Sequence, residues 1–259
     1  MEVLSVSWRS DLALLALGGS TVEHHRNFVA VRSPDRPTAT WANFLLLRRR
    51  PTTPELGRLD DLFRETFPDA RHRAYAVDDP HATPDDLDPL ERAGFRVALT
   101  EALTAAEPAA PRSPHLSARV RPLHGDTDWQ QRVELVAECS GATADTVQRR
   151  VATERRIAER SGGCWFGAFE GERMVAGIGT VPTGDGVVRM QAVDVLRDFR
   201  GRGLAGTLVH LAGRQAREHP GVERLLVVGS RDGHGLPVYR DLGFRTVERQ
   251  ASAERAGQP

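Results

Sequence analysis

The spacing of apolar residues changes repeatedly along the chain, and each change marks an element. Residues 1–20 are apolar without a clean period and stop at Gly18-Gly19, which fits either a strand or a helix. His25 to Arg32 alternates as a strand, and Ser33 to Pro37 is turn chemistry. Trp41 to Leu47 is apolar at almost every position, the pattern of a strand buried on both faces. Glu55 to Thr66 changes to helical spacing, with Leu56, Leu59, Leu62 and Phe63 forming a stripe that Pro68 ends. His72 to Val77 predicts a strand, Pro84 to Ala93 a helix stopped by Gly94, and Phe95 to Leu103 a strand.

Glu107 to Pro114 has Pro108, Pro111 and Pro114 in a short polar run, a linker signal, and the pattern restarts beyond it. Ala118 to Arg121 predicts a strand. Asp126 to Cys139 predicts a helix capped by Asp126 or Thr127, and Thr143 to Arg160 a second helix. Cys164 to Phe169 and Met174 to Val181 predict two strands joined by the tight turn Glu170 to Arg173. A strand over Val187 to Leu196 leads into Arg200-Gly201-Arg202-Gly203-Leu204-Ala205-Gly206 and then a helix with Leu204, Leu208 and Leu211 at helical spacing. Glu223 to Val228 (strand), Gly235 to Leu242 (helix) and Phe244 to Gln250 (strand) close the chain. Leu90 to Arg96 (LERAGFR) and Tyr239 to Arg245 (YRDLGFR) end similar successions of strands and helices, an internal repeat. The expected organisation is residues 1–107, a linker at 108–115, and residues 116–259.

The stretch with the clearest chemistry is the glycine-rich turn between a strand and a helix. Glycines let successive backbone amides converge, and a helix N-terminus adds partial positive charge, so the turn is a phosphate cradle in outline. It matches neither the dinucleotide fingerprint nor a Walker loop. The spacing Arg200-x-x-Gly203-x-Ala205 resembles the acyl-CoA pyrophosphate loop of the GCN5-related N-acetyltransferases (GNATs). Leu236 to Phe244, with Tyr239 four residues before Gly243-Phe244, is similar to the closing segment of that family. The resemblance covers roughly residues 117–250. It implies an α/β (α+β) fold with a mixed, mostly antiparallel sheet flanked by helices. A complete C-terminal copy would follow a truncated, degenerate N-terminal one. In the first half the cradle is replaced by Arg48-Arg49-Arg50-Pro51-Thr52-Thr53-Pro54, without glycine, and Leu90 stands where the second half has Tyr239.

The resemblance implies acetyl-CoA as co-substrate and an amine acceptor, a small molecule ahead of a protein. The amides of Arg202 to Gly206 would hold the pyrophosphate, with Gly201 shaping the turn. Arg200 and Arg202 either add charge-assisted hydrogen bonds or face solvent. Backbone groups near Val193 and Val195 would bond the pantetheine arm. Tyr239 is the candidate general acid for the departing thiolate, the alternative being a packed tyrosine satisfied elsewhere. Asp194 is the candidate base, the alternative being a carboxylate salt-bridged to a neighbouring arginine. His234 lies where the family often has an asparagine, which this chain lacks. A non-catalytic acyl-CoA-binding regulatory or structural protein is the rival reading.

Composition narrows these expectations. Acidic and basic residues balance at 35 each, which gives no field for nucleic acid. Every basic residue is arginine, so the chain has no lysine of its own to acetylate. Cys139, expected in the core, and Cys164 are the only cysteines and form neither a disulfide framework nor a zinc site. No apolar run approaches the roughly 18–20 residues that span a bilayer. The expectation is a cytoplasmic protein without metal or membrane partner; a homodimer is left open.

Overall fold

The computed structural model describes residues 1–231 and 233–257. Its chain divides into two units: Met1–Ala102 with Gly229–Asp232 and Thr246–Pro259, and Leu103–Val228 with Gly233–Arg245.

The first unit begins with α1 (Val6–Leu17), resolving the ambiguity of residues 1–20 as a helix. β1 (Thr21–His24), β2 (Phe28–Arg32) and β3 (Phe44–Leu47) follow, all four residues of β3 being buried. The strand expected from Trp41 starts late because Thr40–Ala42 form a 3-10 turn. Next come α2 (Leu56–Thr66), β4 (His72–Val77), α3 (Asp88–Arg92) and β5 (Arg96–Ala105), which leads on into the second unit. Antiparallel β2–β3 and parallel β3–β4 pairs set the register, with Leu45 opposite Tyr75. Phe44, Leu46, Phe63, Tyr75 and Leu90 are essentially inaccessible and build the core.

The second unit contains β6 (Arg119–Pro122), α4 (Gly125–Ser140), α5 (Ala144–Ser161), β7 (Cys164–Glu170), β8 (Arg173–Gly184) and β9 (Val187–Val195). Then follow α6 (Leu204–Arg217), β10 (Arg224–Ser230) and α7 (Gly235–Asp241). Strands β6 to β9 pair antiparallel in sequence order, and β10 adds parallel to β9. His124, rather than Asp126 or Thr127, holds the cap position of α4, because the helix begins a residue earlier at Gly125. Leu204, Leu208 and Ala212, one face of α6, are buried at 1% or below. Burying each leucine contributes about 1.5–3 kcal/mol, enough to seat the helix at the sheet despite its glycines.

The last strand, β11 (Arg245–Ala256), corrects the boundary expected from the sequence. From Thr246 onward it belongs to the first unit, where Ala251 to Ala256 pair antiparallel with Val77 to His72 of β4. The strand order there is β1-β2-β3-β4-β11-β5, so β11 lies inside that sheet. The expected linker is likewise part of the second unit. Among the described residues no helix is long and apolar enough to cross a membrane.

Candidate active site

The glycine-rich turn is built as its residue types require. β9 ends at Val195, a 3-10 turn occupies Arg197–Phe199, and Gly201 and Gly203 take φ of 72° and 78° before α6 starts. Those angles favour glycine, which has no Cβ to oppose them. The amides of Leu204, Ala205 and Gly206 have no intrahelical acceptor, which leaves three donors at the positive end of the helix. Arg200 donates from Nε to the Val195 carbonyl at 3.0 Å, and the Arg202 guanidinium lies 5.4 Å from the centre of the Phe199 ring. Both arginines therefore brace the turn.

Pairing between β9 and β10 runs from Val187↔Arg224 to Arg189↔Leu226 and stops there. Among the described residues the edge of β9 from Met190 to Val195 consequently has no strand partner on that side. On its other side β9 carries a bulge. Gly177 faces Asp194 and Gly179 faces Gln191, so between these pairs Ala192 and Val193 of β9 stand against Ile178 alone of β8. Ala192 sits in the bulge at φ 55°, a left-handed conformation that costs a non-glycine residue roughly 1–2 kcal/mol.

A buried charge cluster holds the bulge. Arg132, wholly inaccessible on α4, donates from Nη2 to the Ala192 carbonyl at 3.1 Å and to Asp194 Oδ2 at 2.7 Å. Its Nε donates to Glu154 of α5 at 2.8 Å. Arg150 donates to the same two carboxylates, at 2.9 Å to Glu154 and 2.5 Å to Asp194. Burial opposes the charge on Arg132, but Glu154 and then Asp194 outweigh it and its pKa is raised. Asp194, the candidate base, is thus salt-bridged to both Arg132 and Arg150. It ties the bulged strand to α4 and α5.

Arg132 was not legible as a site residue, since an arginine in a polar helix pattern reads as solvated. Gly177 is the signal that accompanies it: a Cβ there would lie 2.8 Å from Arg132 Nη1. Gly177→Ala is therefore expected to cost about 1–3 kcal/mol through overpacking. Thermal melts against the wild type check this, and an unchanged Tm would show that Arg132 does not press on Gly177.

Tyr239 of α7 faces the same space. Val193, Asp194, Val195, Phe199 to Gly201, Gly203 to Gly206 and Tyr239, but not Arg202, line one cleft of about 950 Å³. That is at the upper end of small-molecule sites. The ring packs against Gly235, where a Cβ would stand 3.1 Å from Cε2 and 3.4 Å from the hydroxyl. Among the described residues the hydroxyl has no hydrogen-bond partner. Burial raises the phenol pKa above its ordinary value, partly offset by Arg189, so the group keeps its proton at neutral pH. His234 lines the cleft as well. So does Cys139, which was expected in the core. Burial first, then the nearby Asp194, raises the thiol's pKa, which disfavours a thiolate nucleophile.

The matching place in the first unit is closed by its own side chains. Arg49 pairs with Glu55, and Arg50 pairs with Asp79 and Asp86. Glu55 also accepts from the Thr52 amide at 2.9 Å and hydroxyl at 2.8 Å. Arg49, then Thr52, hold the Glu55 carboxyl down at about 2. A carboxylate thus occupies the start of the helix where a phosphate would go. Leu90, opposite number to Tyr239, is fully buried.

Residues 129–244 match the model of the acetyltransferase (GNAT) family. A search among curated proteins returns no match. Among solved structures the chain is similar to a conserved protein of unknown function from Staphylococcus epidermidis, at TM-score 0.75 and 10% identity over 93% of this chain and 95% of that one. It is also similar to a GCN5-related N-acetyltransferase from Kribbella flavida, at TM-score 0.68 and 15% identity over 98% of each chain. A tandem GNAT protein from the clavulanic acid biosynthesis pathway aligns at TM-score 0.58 and 15% identity over 97% of this chain and 94% of its own. At such identities these likenesses concern the fold.

Proposed function

From the premise that residues 129–244 form a domain of the acetyltransferase (GNAT) family, we propose that the protein transfers an acetyl group from acetyl-CoA to an amine by direct attack. The observation that carries this reading is the shared cleft of the α6 N-terminus, the unpaired edge of β9 and the Tyr239 hydroxyl. The amides of Leu204 to Gly206 hold the pyrophosphate, and the open edge near Val193 bonds the amide groups of the pantetheine arm. A neutral amine attacks the thioester carbonyl, the tetrahedral intermediate collapses, and the C–S bond breaks. Tyr239 gives its proton to the departing thiolate. The proton of the attacking amine passes to solvent, since Asp194 is held by Arg132 and Arg150. No covalent intermediate on the enzyme is required, in keeping with a Cys139 thiol that burial keeps protonated.

In this reading the first unit, with its cradle filled by Glu55, is a non-catalytic copy. The test is calorimetric titration with acetyl-CoA, followed by mass spectrometry of a panel of small amines and peptides incubated with the protein and acetyl-CoA. A product heavier by one acetyl group is expected. Tight binding with every amine unmodified would instead favour a non-catalytic acyl-CoA-binding protein.

A further inference from the structure

Residues 108–115 have the composition of a linker, yet they lie docked along α6 as a strap. The Ala109 amide donates to the Leu242 carbonyl at 2.8 Å, and His210 Nδ1 donates to the Pro108 carbonyl at 3.0 Å. At the far end the His115 amide donates to Thr207 Oγ1 at 2.8 Å, and His115 Nδ1 reaches the Arg202 carbonyl at 3.2 Å. The helix makes room for the strap with glycines on one face. A Cβ on Gly213 would meet Pro108 at 2.7 Å, one on Gly206 would meet Pro111 at 3.4 Å, and one on Gly203 would meet the Ser113 carbonyl oxygen at 2.0 Å. The glycine pattern of the helix thus serves the strap as well as the turn.

The strap forms a wall of the cleft through Pro111, Arg112 and Ser113. Arg112 has no hydrogen-bond or ion-pair partner among the described residues, whereas Arg200 and Arg202 are engaged with Val195 and Phe199. Of the two carboxylates in the cleft lining, Asp194 and Asp241, Asp194 is already paired with two arginines. A guanidinium without a counter-charge, set beside the free amides of a helix N-terminus, suits a phosphorylated ligand.

We propose that the strap is part of the acyl-carrier site and that Arg112 binds a phosphate of the carrier, making the site select phosphorylated acyl carriers over pantetheine alone. This rests on the acetyl-CoA reading above. The experiment compares wild type, Arg112→Ala and Arg112→Lys in calorimetric titrations with CoA, dephospho-CoA and S-acetylpantetheine. Loss of one charge-assisted contact is expected to weaken CoA binding by Arg112→Ala about tenfold. The preference for CoA over S-acetylpantetheine should shrink by the same factor, and Arg112→Lys should recover part of it. A loss that disappears with dephospho-CoA assigns the contact to the 3′-phosphate; one that persists assigns it to the pyrophosphate. An unchanged CoA affinity, or an equal loss with S-acetylpantetheine as a merely structural strap would give, overturns the proposal. A wild-type protein that binds no CoA overturns the acetyl-CoA reading itself, and the Arg112 role falls with it.

Discussion

Gly203→Pro abolishes acetyl-CoA binding. Gly203 sits at φ 78° at the cap of α6, and proline is fixed near −65°. The substitution forces the turn into another conformation and removes an amide beside the proposed phosphate site. The new ring would also enter the space of the Ser113 carbonyl, 2.0 Å from an ideal Cβ. Strand β9 and the rest of α6 keep their own pairing and buried stripe, so the effect is expected to be local. Calorimetry with acetyl-CoA reads the result, and circular dichroism checks that the variant remains folded. A folded variant with wild-type affinity would remove the turn from the carrier site.

Tyr239→Phe lowers kcat by about a hundredfold or more while acetyl-CoA affinity stays near the wild-type value. Positioned general acids contribute roughly 10²–10⁴ to rate. The phenyl ring keeps the packing against Gly235 and Phe244, so the variant removes the hydroxyl and little else. The pH dependence follows from the direction of the shift. Burial raises the Tyr239 pKa, so the acid stays protonated, and its contribution persists up to the ordinary tyrosine value of about 10. The contribution is lost only as pH rises through the raised value. A wild-type kcat that falls at lower pH in step with a Tyr239 titration, or a variant as fast as wild type, would assign the acid role elsewhere.

Local signals in the sequence carried much of the site, and long-range ones were hidden. The glycines of Arg200 to Gly206 and the spacing of Tyr239 to Gly243-Phe244 report local backbone needs, and the structure brings them to one cleft. The ends of α2 and β4 were legible because apolar spacing and turn residues agreed there. The place of β11 was not, because its partner β4 lies more than 170 residues earlier and alternation along a strand names no partner. The bulge at Ala192 was silent for a different reason: alanine is no marker of a left-handed conformation, and Arg132 fixes it from another helix. The clue was the small pair Gly177 and Gly179 on β8, where any side chain would strike Arg132 or Trp165. The alternative read for Asp194, a carboxylate salt-bridged to arginine, is the one that the structure bears out. The three prolines from Pro108 to Pro114 read as a spacer because composition shows stiffness and polarity but not the glycine face of α6 on which they lie.

The most direct measurement is the initial rate of CoA thiol release by the wild-type protein as acetyl-CoA and an amine are varied together. Direct transfer predicts release that depends on both, with intersecting double-reciprocal lines. Parallel lines would mean an acyl-enzyme, and no amine-dependent release across the panel would contradict acetyl transfer altogether.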